Sequence, residues 1–231
     1  MALYWILIIA IMIVSLVVQQ SLKRKFNKYS KVGLQIGLSG KEVAELMLRD
    51  NNIHDVSVVS VQGKLTDHYN PVDKTVNLSP EVYSGRSVMA AAVAAHECGH
   101  AIQHATAYRP LEMRSALVPL QNASGRVINF LFFALIFGSF MLPNFITFDA
   151  ALPIIIGAYT IFTLFAFITL PVEYDATKRA LAWVEERNIT TGQEHGMAED
   201  ALNAAARTYV VAALSSLAML LYYVSLFLGR D

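Results

Sequence analysis

Four long apolar stretches constrain this chain more than any other feature of it. They cover residues 3–18, 127–148, 150–172 and 209–228. A helix needs about 20 apolar residues to cross a hydrocarbon layer about 30 Å thick, and these stretches meet or approach that length. Apolar residues make up 55% of the 231, above the roughly 45–50% of soluble domains. The pattern predicts a mainly α, polytopic membrane protein with about four transmembrane helices. No basic residue precedes the first run, whereas Lys23, Arg24, Lys25, Lys28 and Lys31 follow it. A cleaved signal peptide has the reverse order, so the first run is expected to be a retained anchor.

The basic residues set an expected orientation. Thirteen Lys and Arg lie between the first and second spans, four between the third and fourth, and only Arg230 elsewhere. Four crossings put both loops, about 19–126 and 173–208, on one face. The positive-inside rule makes that face cytoplasmic and both termini external. The expected location is thus the cell membrane, with the lipid bilayer as an obligatory partner. A formal net charge of zero offers nothing to a nucleic acid. The single cysteine, Cys98, excludes an internal disulfide. Nothing in the pattern specifies a homo-oligomer or a membrane partner.

Most of the polar mass lies in the first loop, which reads as a small α+β portion. Ser39 with Glu42 forms a capping-box pattern, opening a helix through about Asp50. Asp55–Gln62 alternates valine with polar residues and predicts a strand. Gly63–His68 and Lys74–Leu78, joined through Asn70 and Pro71, predict a further extended segment and its return. Ser79-Pro80 opens a helix. Ser87 caps a longer one that reaches about Tyr108, before Pro110.

That longer helix carries His96-Glu97-Cys98-Gly99-His100, an H-E-x-x-H motif. Residues at i and i+4 lie about 40° apart around a helix and one turn along it, so two imidazoles can converge on one ion. The glutamate between them can take a proton from the attacking water. Two imidazoles and a carboxylate suit zinc, and one Zn2+ per chain is expected. Cys98, at i+2 from His96, points about 200° away and reads as a packed core thiol.

A third protein ligand must come from elsewhere. His104 repeats the i+4 step but stands about 12 Å along the axis from His96, too far to share one ion; it reads as a neighbouring polar residue. Thr106 occupies the position where a longer motif would need a further histidine. Glu173 is the best candidate, at the cytoplasmic edge of the third span and at the start of an expected helix, since an acid at a membrane edge is costly without a partner. Asp175 and Glu112 compete less well, and Asp175 could instead orient a ligating histidine. Tyr209 and Arg207 are candidates to donate to a developing oxyanion, although both are also ordinary interface residues. The segment Leu65–Tyr69 could pair as an edge strand with an extended substrate, with His68 more structural than catalytic.

Taken together, Thr66-Asp67-His68-Tyr69-Asn70-Pro71, Asn77-Leu78-Ser79-Pro80, Ala94–Gln103, Pro171-Val172-Glu173-Tyr174-Asp175-Ala176 and Leu202–Ala206 before Tyr209 resemble the YugP-like membrane zinc metallopeptidases. The resemblance spans nearly the whole chain and implies Glu173 as the third ligand. More distantly the chain is similar to the HtpX and Ste24 type of membrane peptidase. Those proteins carry an aspartate four residues after the glutamate, where this chain has Thr177.

The expected function is that of a membrane-embedded zinc endopeptidase, a gluzincin-like hydrolase acting on proteins or peptides at the cytoplasmic membrane face, with Glu97 as general base. The whole chain is expected to form a single metallopeptidase domain. Two alternatives are a non-catalytic zinc-binding scaffold or sensor, and an intramembrane protease whose H-E-x-x-H helix lies inside the bilayer. The second would divide the basic residues between both faces.

Overall fold

The structure is a computed structural model that describes residues 2–141 and 147–229. Residues 142–146 of the second expected span, Pro143 among them, and Arg230 lie outside the described residues. The chain is mainly helical, in the order α1 (Ala2–Tyr29), α2 (Gly40–Asp50), β1 (Ser57–Ser60), β2 (His68–Asn70), β3 (Thr75–Leu78), α3 (Pro80–Tyr83), α4 (Val88–Ala105), α5 (Arg109–Met141), α6 (Phe148–Glu186) and α7 (Gln193–Leu228). Among the described residues four helices, α1, α5, α6 and α7, are long and apolar enough to cross a membrane.

Each of these helices outruns the apolar stretch that announces it. α1 continues past residue 18 through its basic cluster to Tyr29, because Gln, Lys and Arg are good helix formers. α5 already begins at Arg109, with Pro110 tolerated in the first turn, where its missing N–H costs nothing. α6 runs unbroken through Pro171 to Glu186. Glu173 is therefore in the interior of a long helix and not at a helix start, and a dipole-favoured N-terminal acid does not describe it.

Contacts divide the chain into two compact units. One comprises Met1–Ser15, Met113–Leu170 and Tyr209–Asp231; the other comprises Leu16–Glu112 and Pro171–Thr208. The core of the first is built from Leu131, Leu152, Ile155, Met219 and their neighbours, joined by a chain of tyrosine rings. Tyr4 meets Tyr222 at 5.3 Å and Tyr159 meets Tyr223 at 5.1 Å between centroids.

The second unit holds the polar elements. The Ser39 N–H donates to Glu42 Oε2 at 2.7 Å while Glu42 N–H donates to Ser39 Oγ at 3.3 Å, a complete capping box. A cap of this kind stabilises a helix by about 1 kcal/mol. α2 then lays fully buried Val43, Ala44 and Met47 into a core shared with Ala91, Ala94 and Ala95 of α4. The small side chains on α4 let other elements approach it closely. A three-stranded sheet in the order β1-β3-β2 has β1 parallel and β2 antiparallel to β3. Val76 and Leu78 of β3 are fully buried.

The strands are shorter than the alternation suggests. β1 covers four residues, and the second extended segment begins at His68 rather than Gly63. Gly63 (φ 120°) and Leu65 (φ 56°) lie in the left-handed region, which a strand ladder does not accept. The expected edge segment Leu65–Tyr69 is accordingly reduced to β2. Long-range polar contacts complete the unit: Trp183 Nε1 and Arg187 Nε donate to Asp50 at 3.0 and 2.7 Å. Tyr29 and Lys25 both donate to Asp200.

Candidate metal centre

The Ser87 hydroxyl accepts from Ala90 N–H and starts α4. Two and a half turns on, His96 and His100 leave the helix on one side, their ring centroids 4.9 Å apart and nearly perpendicular. α6 brings Glu173, 2% exposed, against both. Glu173 Oε2 stands 3.4 Å from His96 Nε2 and 3.6 Å from His100 Nε2. One ligand atom from each of the three residues lies within 4.8 Å of the others. Two donors at about 2.1 Å from a tetrahedral zinc ion are about 3.4 Å apart, so the donor set and its spacing fit that ion.

The far side of each imidazole is also held. Thr177 Oγ1 lies 3.2 Å from His96 Nδ1. Gln103 Oε1 lies 3.0 Å from His100 Nδ1. Both rings are thereby turned with Nε2 toward Glu173, the arrangement that outer partners give to metal-binding histidines. Burial by itself would disfavour a charge on His100, but the adjacent Glu173 carboxylate, the charge of Glu97 and the Gln103 contact outweigh it and raise its proton affinity.

α4 and α6 approach closely because of Gly99. A Cβ placed there would lie 2.6 Å from the Ala176 carbonyl oxygen and 3.0 Å from its Cα. Glycine at this point of the motif sets the distance between the helix with two imidazoles and the helix with the carboxylate.

The remaining candidates are distributed as follows. Glu97 is 8% exposed and acts electrostatically on His100. Asp175 accepts from Gln103 Nε2 at 2.8 Å and Arg179 Nε at 2.6 Å, and Gln103 in turn touches His100. His104 Nδ1 is 2.8 Å from the Tyr69 hydroxyl, and His68 Nδ1 donates to the Thr66 carbonyl at 2.7 Å; neither joins the cluster. Arg207 is exposed and its charge acts on Asp200. Tyr209 belongs to the other compact unit. Gln103 and Thr177 are the contacts that sequence reasoning left without a role. A glutamine three residues beyond the motif carries no signal of its own, and Thr177 stood out only as a departure from the aspartate of the more distant peptidases.

Cys98 is fully buried, and its thiol lies 3.6 Å from the Ala44 carbonyl oxygen. Burial, reinforced by the charge of Glu97, pushes its pKa well above the ordinary thiol range. The thiolate is the reactive form, so iodoacetamide should leave Cys98 unmodified in the folded protein and alkylate it fully after denaturation. Intact-mass measurement checks both, and rapid labelling of the folded protein would contradict the packing described.

Four helices long and apolar enough to cross a membrane thus accompany a largely buried cluster of two histidines and a glutamate, built around H-E-x-x-H, that could hold a metal ion. The chain belongs to a family of zinc metallopeptidases, described as "putative neutral zinc metallopeptidase", whose profile matches residues 4–228. It is also 41% identical over 231 residues to a Bacillus subtilis protein described as "putative membrane protease YugP", covering 99% of each chain. No solved structure matches it.

Proposed function

We propose that this chain is a zinc-dependent endopeptidase embedded in the cell membrane, hydrolysing proteins or peptides at the cytoplasmic face, with His96, His100 and Glu173 as metal ligands and Glu97 as general base. The observation that carries the reading is the convergence of three donors from α4 and α6 within 4.8 Å, with both imidazoles held from behind. Zinc, when bound there, lowers the pKa of a water and polarises the scissile carbonyl. Glu97 takes the proton of the attacking water and returns it to the leaving amine.

The surroundings of α4 support this over a helix that itself spans the bilayer. α4 is not among the four membrane-length helices, and most of its residues are buried among α2, α3 and the strands. β2 has one strand neighbour among the described residues, β3. Its other edge offers backbone groups to an extended peptide, a common mode of peptide capture.

The test is metal content with activity. Protein purified in detergent is expected to carry about one zinc per chain and to cleave an unstructured protein substrate. Removing the metal with a chelator should stop cleavage, and adding zinc back should restore it. Glu173→Ala should lose the metal; firm retention of zinc by that variant, or a wild type that cannot be loaded, refutes the ligand set.

A further inference from the structure

Gln103 is fully buried and sits between the two helices that carry the metal ligands. Its Nε2 faces two acceptors, the Val172 carbonyl oxygen at 2.7 Å and Asp175 Oδ2 at 2.8 Å. Neither acceptor has a proton to offer in return. The amide therefore cannot be flipped without setting oxygen against two oxygens, and its orientation is fixed. Its Oε1 then necessarily faces His100 Nδ1, 3.0 Å away. An amide oxygen only accepts, so Nδ1 must be the donor. A neutral imidazole with its proton on Nδ1 has its lone pair on Nε2, the atom turned toward Glu173.

The geometry points to Gln103 as a positioning residue that presets His100 as the Nδ1–H tautomer and ties that ring to the α6 backbone one residue before Glu173. The inference rests on the metal-binding reading above and deepens it. The anchorage extends outward. Arg179 Nε donates to the same Asp175 oxygen at 2.6 Å. The guanidinium lies 5.8 Å from the Tyr108 ring centroid, and Tyr108 N–H donates to the Gln103 carbonyl at 2.9 Å. His96 is held differently. Its partner at Nδ1 is the Thr177 hydroxyl, which can donate or accept and so imposes no tautomer by itself. Of the two histidines, His100 is the one whose lone pair is set before a metal arrives.

The test reads the tautomer and the metal separately, on the full chain in detergent. Protein labelled with 15N-histidine is made metal-free and held at alkaline pH, where the imidazoles are neutral; the His100 signal is identified by its loss in His100→Gln. The wild-type ring is expected to show the Nδ1–H pattern. In Gln103→Met, which keeps volume but cannot accept from the ring, the pattern should shift toward Nε2–H. Zinc affinity, measured by competition with a chromogenic chelator, should fall about 10- to 100-fold.

An Nε2–H pattern at His100 in the wild type overturns the proposal, and that measurement needs no variant to fold. So does a Gln103→Met protein that keeps both the wild-type pattern and the wild-type affinity. If wild type binds no zinc, the metallopeptidase reading fails while the tautomer measurement still decides the role of Gln103.

Discussion

Replacing Glu97 by glutamine should remove peptide hydrolysis and leave the zinc in place. The substitution keeps the size and planarity of the side chain and abolishes its ability to take a proton. None of the three donors His96, His100 and Glu173 is changed, and their mutual distances do not depend on the carboxylate of Glu97. A positioned general base contributes about 10²–10⁴-fold to such a reaction, so the initial rate on an unstructured substrate should fall by that factor, with zinc content still near one per chain. Elemental analysis and a fluorogenic cleavage assay on the same preparation give both numbers. A rate that falls only a few-fold would assign the base elsewhere. A wild type that holds zinc firmly yet cleaves none of a broad panel of unstructured substrates would favour a zinc-binding scaffold, to which Glu97 is indifferent.

The second large effect is expected at a residue with no chemistry of its own. Gly99→Ala adds a methyl group 2.6 Å from a backbone oxygen and 3.0 Å from a backbone Cα of α6. Neither of those atoms can rotate away as a side-chain tip would, so the helices themselves must part. Overpacking of this kind costs about 1–3 kcal/mol. The movement separates the imidazoles of α4 from the Glu173 carboxylate, which needs its oxygen within a few tenths of an ångström to share an ion. The expected result is a lower thermal midpoint for the metal-free protein together with a loss of zinc affinity that exceeds it. Wild-type affinity in Gly99→Ala would mean that the close approach is not what sets the ligand distances.

Local signals were legible wherever a short piece of chain determines its own structure. Ser39 with Glu42, Ser87 at the head of α4 and the four apolar runs each speak through contacts within a turn or two, and the helices they announce are present. The H-E-x-x-H spacing is of the same kind, because the helix alone brings its two imidazoles together. Where the structure departs from the reading, the determinant is remote. Pro171 looks like a helix boundary in isolation, but α6 is continuous through it. Asp175 could be suspected of touching a histidine; that it does so through Gln103 depends on contacts 69 and 72 residues apart in the chain. Thr177 shows a subtler case. The missing aspartate of the more distant peptidases reads as a vacancy, yet the threonine in its place reaches His96 Nδ1 with a hydroxyl. At the strands, the positive φ of Leu65 could not be foreseen from a residue that rarely adopts it.

The polar unit is assembled from two separate lengths of chain, Leu16–Glu112 and Pro171–Thr208. During synthesis the first length emerges complete with both imidazoles and Glu97, while Glu173, and the Val172 and Asp175 groups that contact Gln103, are still to come. On the proposed reading, the order of translation therefore acts as a safety catch. A ribosome-bound or prematurely terminated chain ending before Pro171 then has two of the three proposed metal ligands and lacks Glu173 to complete the set. Proteolytic competence arrives only after α5 and most of α6 have been made, so an aborted chain is a poor zinc site rather than an unregulated protease at the membrane.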